Sequence, residues 1–237
     1  MEHLYIKAFI KKLIKSKNVY NIFPESGIIY IHIPKTGGIS IKDSLRKLTN
    51  SKLTFNEKKK YYLLEELKRK KISSIHGKAK DYIKFIDTHT WNKSIKFASI
   101  RNPWSLMVSS YNWWLQEGYK FHRCRHMYND ICDMSFKQFI NSSYGQNMIN
   151  ECVGNIEDWI NDKNGKFILD SLVRLEYFDE DFEKLLKNFN HPIKGFRKLR
   201  RLNYTSHKKY QDYYDDNSKK MIERRFNFII KKYDYKF

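Results

Sequence analysis

Cysteine is scarce in this chain, and long apolar runs are absent. There are three cysteines in 237 residues, Cys124, Cys132 and Cys152. Any pairing leaves one over, which excludes a disulfide framework. Cys124 stands between His122 and His126, but that spacing fits no common zinc pattern. No stretch approaches the roughly 20 apolar residues that span a bilayer. Leu4–Ile14 alternates apolar residues with lysine, so it reads as an amphipathic helix and lacks the unbroken apolar core of a signal peptide. A cytoplasmic location is the expectation. Repeats, linkers and low-complexity blocks are also missing. The expected division is an N-terminal helix and connector over 1–26 and one domain over 27–237, a length that can bury a real core. Acidic residues are outnumbered, 26 against 46 basic ones, which leaves a net charge of +20. Such a surface attracts polyanions. A low-GC genome would also enrich lysine over arginine, together with Ile, Asn and Tyr. Aromatics at 16% exclude a disordered chain.

What is present centres on residues 27–40. Gly27 to Ile33 is an apolar run that reads as a buried strand, and Pro34 stops it. Lys35, Thr36, Gly37, Gly38 and Ser40 follow, and a helix is expected from about Ile39 to Lys47. Two glycines let the backbone turn and approach a ligand closely. A helix start offers free N–H groups and partial positive charge, so an anion is welcome there. Lys35 adds a charge, and Thr36 and Ser40 add hydroxyl donors.

A second segment points to the same place. Ile95–Ile100 reads as another buried strand, Arg101 stands at its end, and Pro103 suits the first turn of a helix running to about Gln116. Arg101 can grip a phosphate with paired hydrogen bonds. Ser109, two turns into that helix, can reach the same anion. Ligands of open α/β sheets lie beyond the carboxyl ends of the strands. Two separate grips suit a nucleotide phosphorylated at two places.

The rest of the chain is less specific. Residues 56–71 read as a lysine-rich surface helix. Residues 113–135 mix Trp113 and Trp114 with His122, Arg123, Arg125 and His126, a composition suited to anionic sugars as well as to core. Asn164-Gly165 signals a turn before a strand over Phe167–Val173. Arg174 and Glu176 are expected to form an ion pair. One closing helix is expected from Ser218 to Tyr235.

Ile-Pro-Lys-Thr-Gly-Gly-Ile-Ser (33–40) resembles the 5′-phosphosulfate loop of sulfotransferases that use 3′-phosphoadenosine 5′-phosphosulfate (PAPS), with Ile39 where Thr is usual. Ile-Arg-Asn-Pro-Trp with Ser109 resembles their 3′-phosphate motif. Residues 173–182, 203–210, Tyr213, Tyr214 and the closing Lys-Tyr-Asp-Tyr-Lys-Phe are similar to later family segments, in order. The likeness is to the carbohydrate branch that includes the heparan sulfate 2-O type. It implies an α/β fold, a single domain with a central, mostly parallel sheet flanked by helices and a P-loop-like phosphosulfate loop. It also implies PAPS as cosubstrate, PAP as product, and a hydroxyl-bearing acceptor, a glycan or small metabolite, with no metal and no nucleic-acid partner.

Sulfuryl transfer needs a cation on the leaving phosphate and a base for the acceptor hydroxyl. Lys35 suits the first role. Among the eight histidines, His76 suits the second, because 2-O family members place a catalytic His in a similar Gly-His or His-Gly context between the two phosphate motifs; His89, His122 and His126 are alternatives, and His32 reads as structural. Lys35, Thr36, Gly37, Gly38, Ser40, Arg101 and Ser109 are expected to bind the nucleotide. By resemblance His207 and Lys208 join them from a C-terminal loop. Two other classes stay open at this point. A Walker-type nucleotide kinase fits an anion loop, although Pro-Lys-Thr-Gly-Gly is not G-x-x-x-x-G-K-[ST]. A basic nucleic-acid-binding module fits the charge and neither motif.

Overall fold

The computed structural model describes residues 21–72, 76–120, 122, 125–189, 193–200, 202 and 206–237. The expected helix over Leu4–Ile14, Arg123, Cys124 and residues 203–205 lie outside them. Four strands form the main sheet: β1 (Ile22–Phe23), β2 (Ile28–Ile31), β3 (Ile95–Ile100) and β4 (Ser171–Arg174), in that spatial order. β1 joins β2 antiparallel; β2, β3 and β4 run parallel. The connector expected before Gly27 therefore contributes an edge strand. The helices that matter here are α1 (Gly38–Leu45), α2 (Phe55–Lys71), α3 (Pro103–Glu117), α4 (Phe178–Asn188), α5 (Asp216–Arg225) and α6 (Asn227–Tyr233). The expected α/β class and mostly parallel sheet are both observed.

The strands read as unbroken apolar runs because both faces are covered. Ile28, Tyr30, Ile95 and Phe97 face one core with Ile41 and Leu45 of α1 and Phe182 and Leu185 of α4. Ile29, Ile31, Ala98 and Ile100 face the other, with Leu64 of α2, Met107 of α3, and Ile222 and Ile229 of α5 and α6. Helix starts are specified locally. Thr54 and Glu57 form a capping box at α2. Asn102 caps α3, with Pro103 in its first turn.

Two boundaries differ from the sequence reading. β4 begins at Ser171 because Phe167 pairs with Asn161 instead, and Asp170 is spent on the start of β3, its carboxylate accepting from Lys96 N–H at 2.7 Å. The closing helix is two helices: at Phe226 the backbone leaves helical geometry (ψ 16°) while its ring stays in the core with Ile222 and Ile229.

The register sets the site. Ile31 lies opposite Ala98, and Ile100 opposite Arg174. The loops leaving β2, β3 and β4 thus emerge side by side at the carboxyl edge of the sheet.

Candidate active site

The loop from β2 to α1 carries two unusual backbone positions. Lys35 and Gly37 both have left-handed φ, 66° and 80°. Glycine adopts this freely; a lysine does so at a cost of about 1 kcal/mol. Both glycines are also required by space. A Cβ at Gly37 would stand 2.4 Å from Leu175, and one at Gly38 would stand 1.9 Å from the His32 ring. α1 starts with no side-chain cap, so its first-turn N–H groups are presented for an anion.

Thr36 is in place, but its hydroxyl faces inward. It donates to the Ile33 carbonyl at 2.8 Å and lies 2.7 Å from Ser99 Oγ, which lies 2.6 Å from the Tyr30 hydroxyl. Because the carbonyl can only accept, the proton order is set: Tyr30 donates to Ser99, Ser99 to Thr36, Thr36 to Ile33. The Thr36 hydroxyl expected to donate to a ligand is committed to shaping the loop. The contribution left to Thr36 is its backbone N–H. Ser40 is likewise engaged: its Oγ accepts from Leu202 N–H at 2.9 Å and faces the Leu202 carbonyl at 3.3 Å, which ties Leu202 to α1.

Gly37, Ser40, Arg101, Ser109 and His207, five of the expected residues, line one cavity of about 480 Å³. That volume is in the ordinary range for a small-molecule site. Ser105, which the sequence reading missed, lies between Arg101 and Ser109. Its Oγ accepts from Arg101 Nε at 3.2 Å and Nη2 at 2.9 Å, while Nη1 reaches the Lys35 carbonyl at 3.4 Å. The signal was available, since a serine four residues after the arginine falls on the same helix face as Ser109. Leu175, Tyr177, Phe178, Leu199 and Leu202 add apolar lining to the same cavity, and Glu176, Asp179 and Glu180 add acidic lining. Lys208 is exposed and does not line it; its carbonyl lies 2.7 Å from His207 Nδ1.

Arg174 does not pair with Glu176. It binds Asp181 with two hydrogen bonds, 2.8 and 2.7 Å. Glu176 instead accepts from the Asn102 N–H at 2.8 Å and the Tyr235 hydroxyl at 3.1 Å. An arginine pairs where the helix places its carboxylate, and the first turn of α4 offers Asp181.

Residues 18–236 match the profile of the sulfotransferase family. The chain belongs to the sulfotransferase family. No curated protein and no solved structure matches it. Membership makes this an enzyme and implies PAPS as the sulfuryl donor and a hydroxyl-bearing acceptor. Among the described residues no helix is long and apolar enough to cross a membrane, and no group of three or more His, Cys, Asp or Glu is placed to hold a metal ion.

Lys35 and His76 are not among the residues that line the cavity. The Lys35 ammonium stands 4.7 Å over the Trp113 ring. Trp113 is one turn past Ser109, so Ser105, Ser109 and Trp113 make one stripe of α3 facing the loop. Burial, and then repulsion from Arg101, lower the Lys35 pKa to about 7, against a smaller opposing pull from Glu117. His76 packs on His32, ring centroids 4.4 Å apart, and meets Trp159 edge to face, centroids 6.5 Å apart. Its Nδ1 is 2.9 Å from the His32 carbonyl. Burial lowers the His76 pKa most; the bond to His32 raises it, and Lys42, Lys35 and Lys68 lower it further. His32 is itself held neutral, chiefly by burial.

Proposed function

We propose that this sulfotransferase moves the sulfuryl group of PAPS to a saccharide hydroxyl, in the cytoplasm, with His76 as general base. The observation that carries the reading is the hydrogen bond from His76 to the His32 carbonyl. A carbonyl accepts only, so the proton sits on Nδ1 and the lone pair on Nε2. The lowered pKa keeps the ring neutral at neutral pH, the form a base requires.

The residues divide the nucleotide between them. The α1 start, Gly37, Gly38 and Ser40, with the backbone N–H of Thr36, takes the 5′-phosphosulfate. Arg101, Ser105, Ser109 and His207 take the 3′-phosphate, with Lys208 at the rim. The apolar lining residues Leu175, Leu199 and Leu202 suit the purine. In the transfer, the acceptor oxygen forms the new S–O bond as the bond from sulfur to the 5′-phosphate oxygen breaks. The acceptor proton passes to His76 Nε2. The leaving charge falls on PAP, where Lys35 meets it. The saccharide reading is supported by the likeness to the carbohydrate branch, by the aromatic and cationic surroundings of Lys35 and His76, and by the net charge of +20.

The test is mass spectrometry of glycan and metabolite pools incubated with the enzyme and labelled PAPS. Label on saccharide hydroxyls is the expected result. Label confined to tyrosine peptides or lipid headgroups overturns the acceptor class, and normal turnover by His76→Ala overturns the base.

A further inference from the structure

The Arg101 grip is tied to residues far along the chain by a closed ring of hydrogen bonds. The Tyr235 hydroxyl donates to Glu176 Oε2 at 3.1 Å. Glu176 Oε1 accepts from the Asn102 backbone N–H at 2.8 Å. Asn102 Nδ2 donates to the Lys236 carbonyl at 3.0 Å, and Lys236 follows Tyr235 in the chain, which closes the ring. The remaining end of the Asn102 side chain accepts from Ser105 N–H at 3.1 Å. Ser105 in turn holds the guanidinium of Arg101. Tyr235 and Asn102 are both buried. The next residue, Phe237, is set edge-on against Trp104, Tyr210 and Tyr214, with Lys219 Nζ 4.2 Å over its ring. Tyr210 also donates to the Lys236 carbonyl at 3.3 Å. The carbonyl end of the ring is therefore anchored independently of any nucleotide.

We propose that Tyr235, acting through Glu176 and Asn102, is a positioning residue that sets where Arg101 stands for the 3′-phosphate. The proposal rests on the reading of Arg101 as the 3′-phosphate grip. Its logic is steric and directional. Arg101 and Asn102 are consecutive, so a bond to the Asn102 N–H fixes the peptide plane from which the Arg101 side chain departs. A carboxylate accepting from a backbone N–H and a tyrosine is a charge-assisted arrangement, stronger than a neutral one. Burial, and then the Glu176 carboxylate, push the Tyr235 pKa far up, so the hydroxyl remains a donor.

The test measures PAP and adenosine 5′-phosphate affinity calorimetrically on the full chain. Tyr235→Phe keeps the ring packing and removes one donor. It should weaken PAP about three- to tenfold, the range for one lost hydrogen bond, and leave adenosine 5′-phosphate unchanged. Added to Arg101→Ala, Tyr235→Phe should cost no further PAP affinity, because nothing remains to be positioned. A merely structural tyrosine would weaken both nucleotides, or would weaken PAP equally in both backgrounds; either result overturns the proposal. Glu176→Gln is an independent variant with an opposed expectation. If Glu176 acted only as a charge beside the phosphate, losing it would tighten PAP; the positioning role requires that PAP weaken. Arg101→Ala binding PAP normally removes the underlying 3′-phosphate reading. Arg101→Ala weakened with Tyr235→Phe normal removes the positioning role alone.

Discussion

The loop over residues 32–40 is shaped largely from within, by two left-handed backbone positions, two glycines and a hydroxyl chain that ends on its own Ile33 carbonyl. Arg101 is shaped from outside, by Ser105, Glu176, Tyr235 and Lys236. The first grip presents backbone N–H groups, whose direction a few φ/ψ angles fix. The second presents a long guanidinium side chain, which needs partners to hold one rotamer. The flexible donor draws in partners as far as the closing residues, whereas the loop's turn is set by its own φ/ψ angles, with Ser99, Leu175 and Leu202 packed on it.

The sharpest way to break that comparison is at the chemistry between the two grips. His76→Ala should lower turnover about 10²–10⁴-fold, the range for losing a general base, with PAP affinity unchanged in a binding titration. Comparable turnover from the variant would leave the site without its base. Arg101→Ala should weaken PAP about 10- to 100-fold, as expected for charge-assisted bonds to phosphate, and adenosine 5′-phosphate far less. Lys35→Ala should do the reverse, lowering turnover more than PAP affinity.

The pH profile sharpens the contrast further. The base must be neutral and Lys35 charged. His76 titrates below 6.5 and Lys35 near 7. Activity measured as kcat/KM should therefore rise below pH 6.5, and fall as pH climbs past about 7. Lys35→Arg, whose guanidinium stays charged, should lose the falling limb. A falling limb that survives would assign it to another group.

The smallest effects separate loop shape from ligand contact. Gly38→Ala drives a Cβ into the His32 ring, and should cost roughly 3 kcal/mol, or about 6–12 °C in melting temperature. Thr36→Val strands the Ile33 carbonyl and the Ser99 hydroxyl; about 1–3 kcal/mol of stability should go, read as a fall of roughly 2–12 °C, with little change in PAP affinity. A large affinity loss without a change in melting would return the Thr36 hydroxyl to the ligand.

What was legible in the sequence follows the same division. Strands β2 and β3, α1 and α3 were readable because apolar runs, glycines and Pro103 act on their own neighbours. Gly37, Ser40, Arg101, Ser109 and His207 do share one cavity. The direction of the Thr36 hydroxyl was not readable, because it depends on Tyr30 and Ser99 from two strands meeting in register. Nor was the partner of Arg174, because Asp181 reaches it only once α4 forms. The division of the closing helix at Phe226 answers to packing, which a one-sided apolar pattern does not reveal.

The bond between Asn102 and Lys236 joins positions 134 residues apart. Ribosomes build chains from the N-terminus at about 5–20 residues per second. At that pace Arg101 leaves the peptidyl-transferase centre roughly 7–27 seconds before Lys236 is added. Throughout that interval β2, α1 and β3 can exist while the carbonyl that orients Asn102 does not. The phosphosulfate loop is thus able to form before Lys236 is added, and the second grip only after it. A nascent chain halted before Tyr235 would carry one finished half of its nucleotide site.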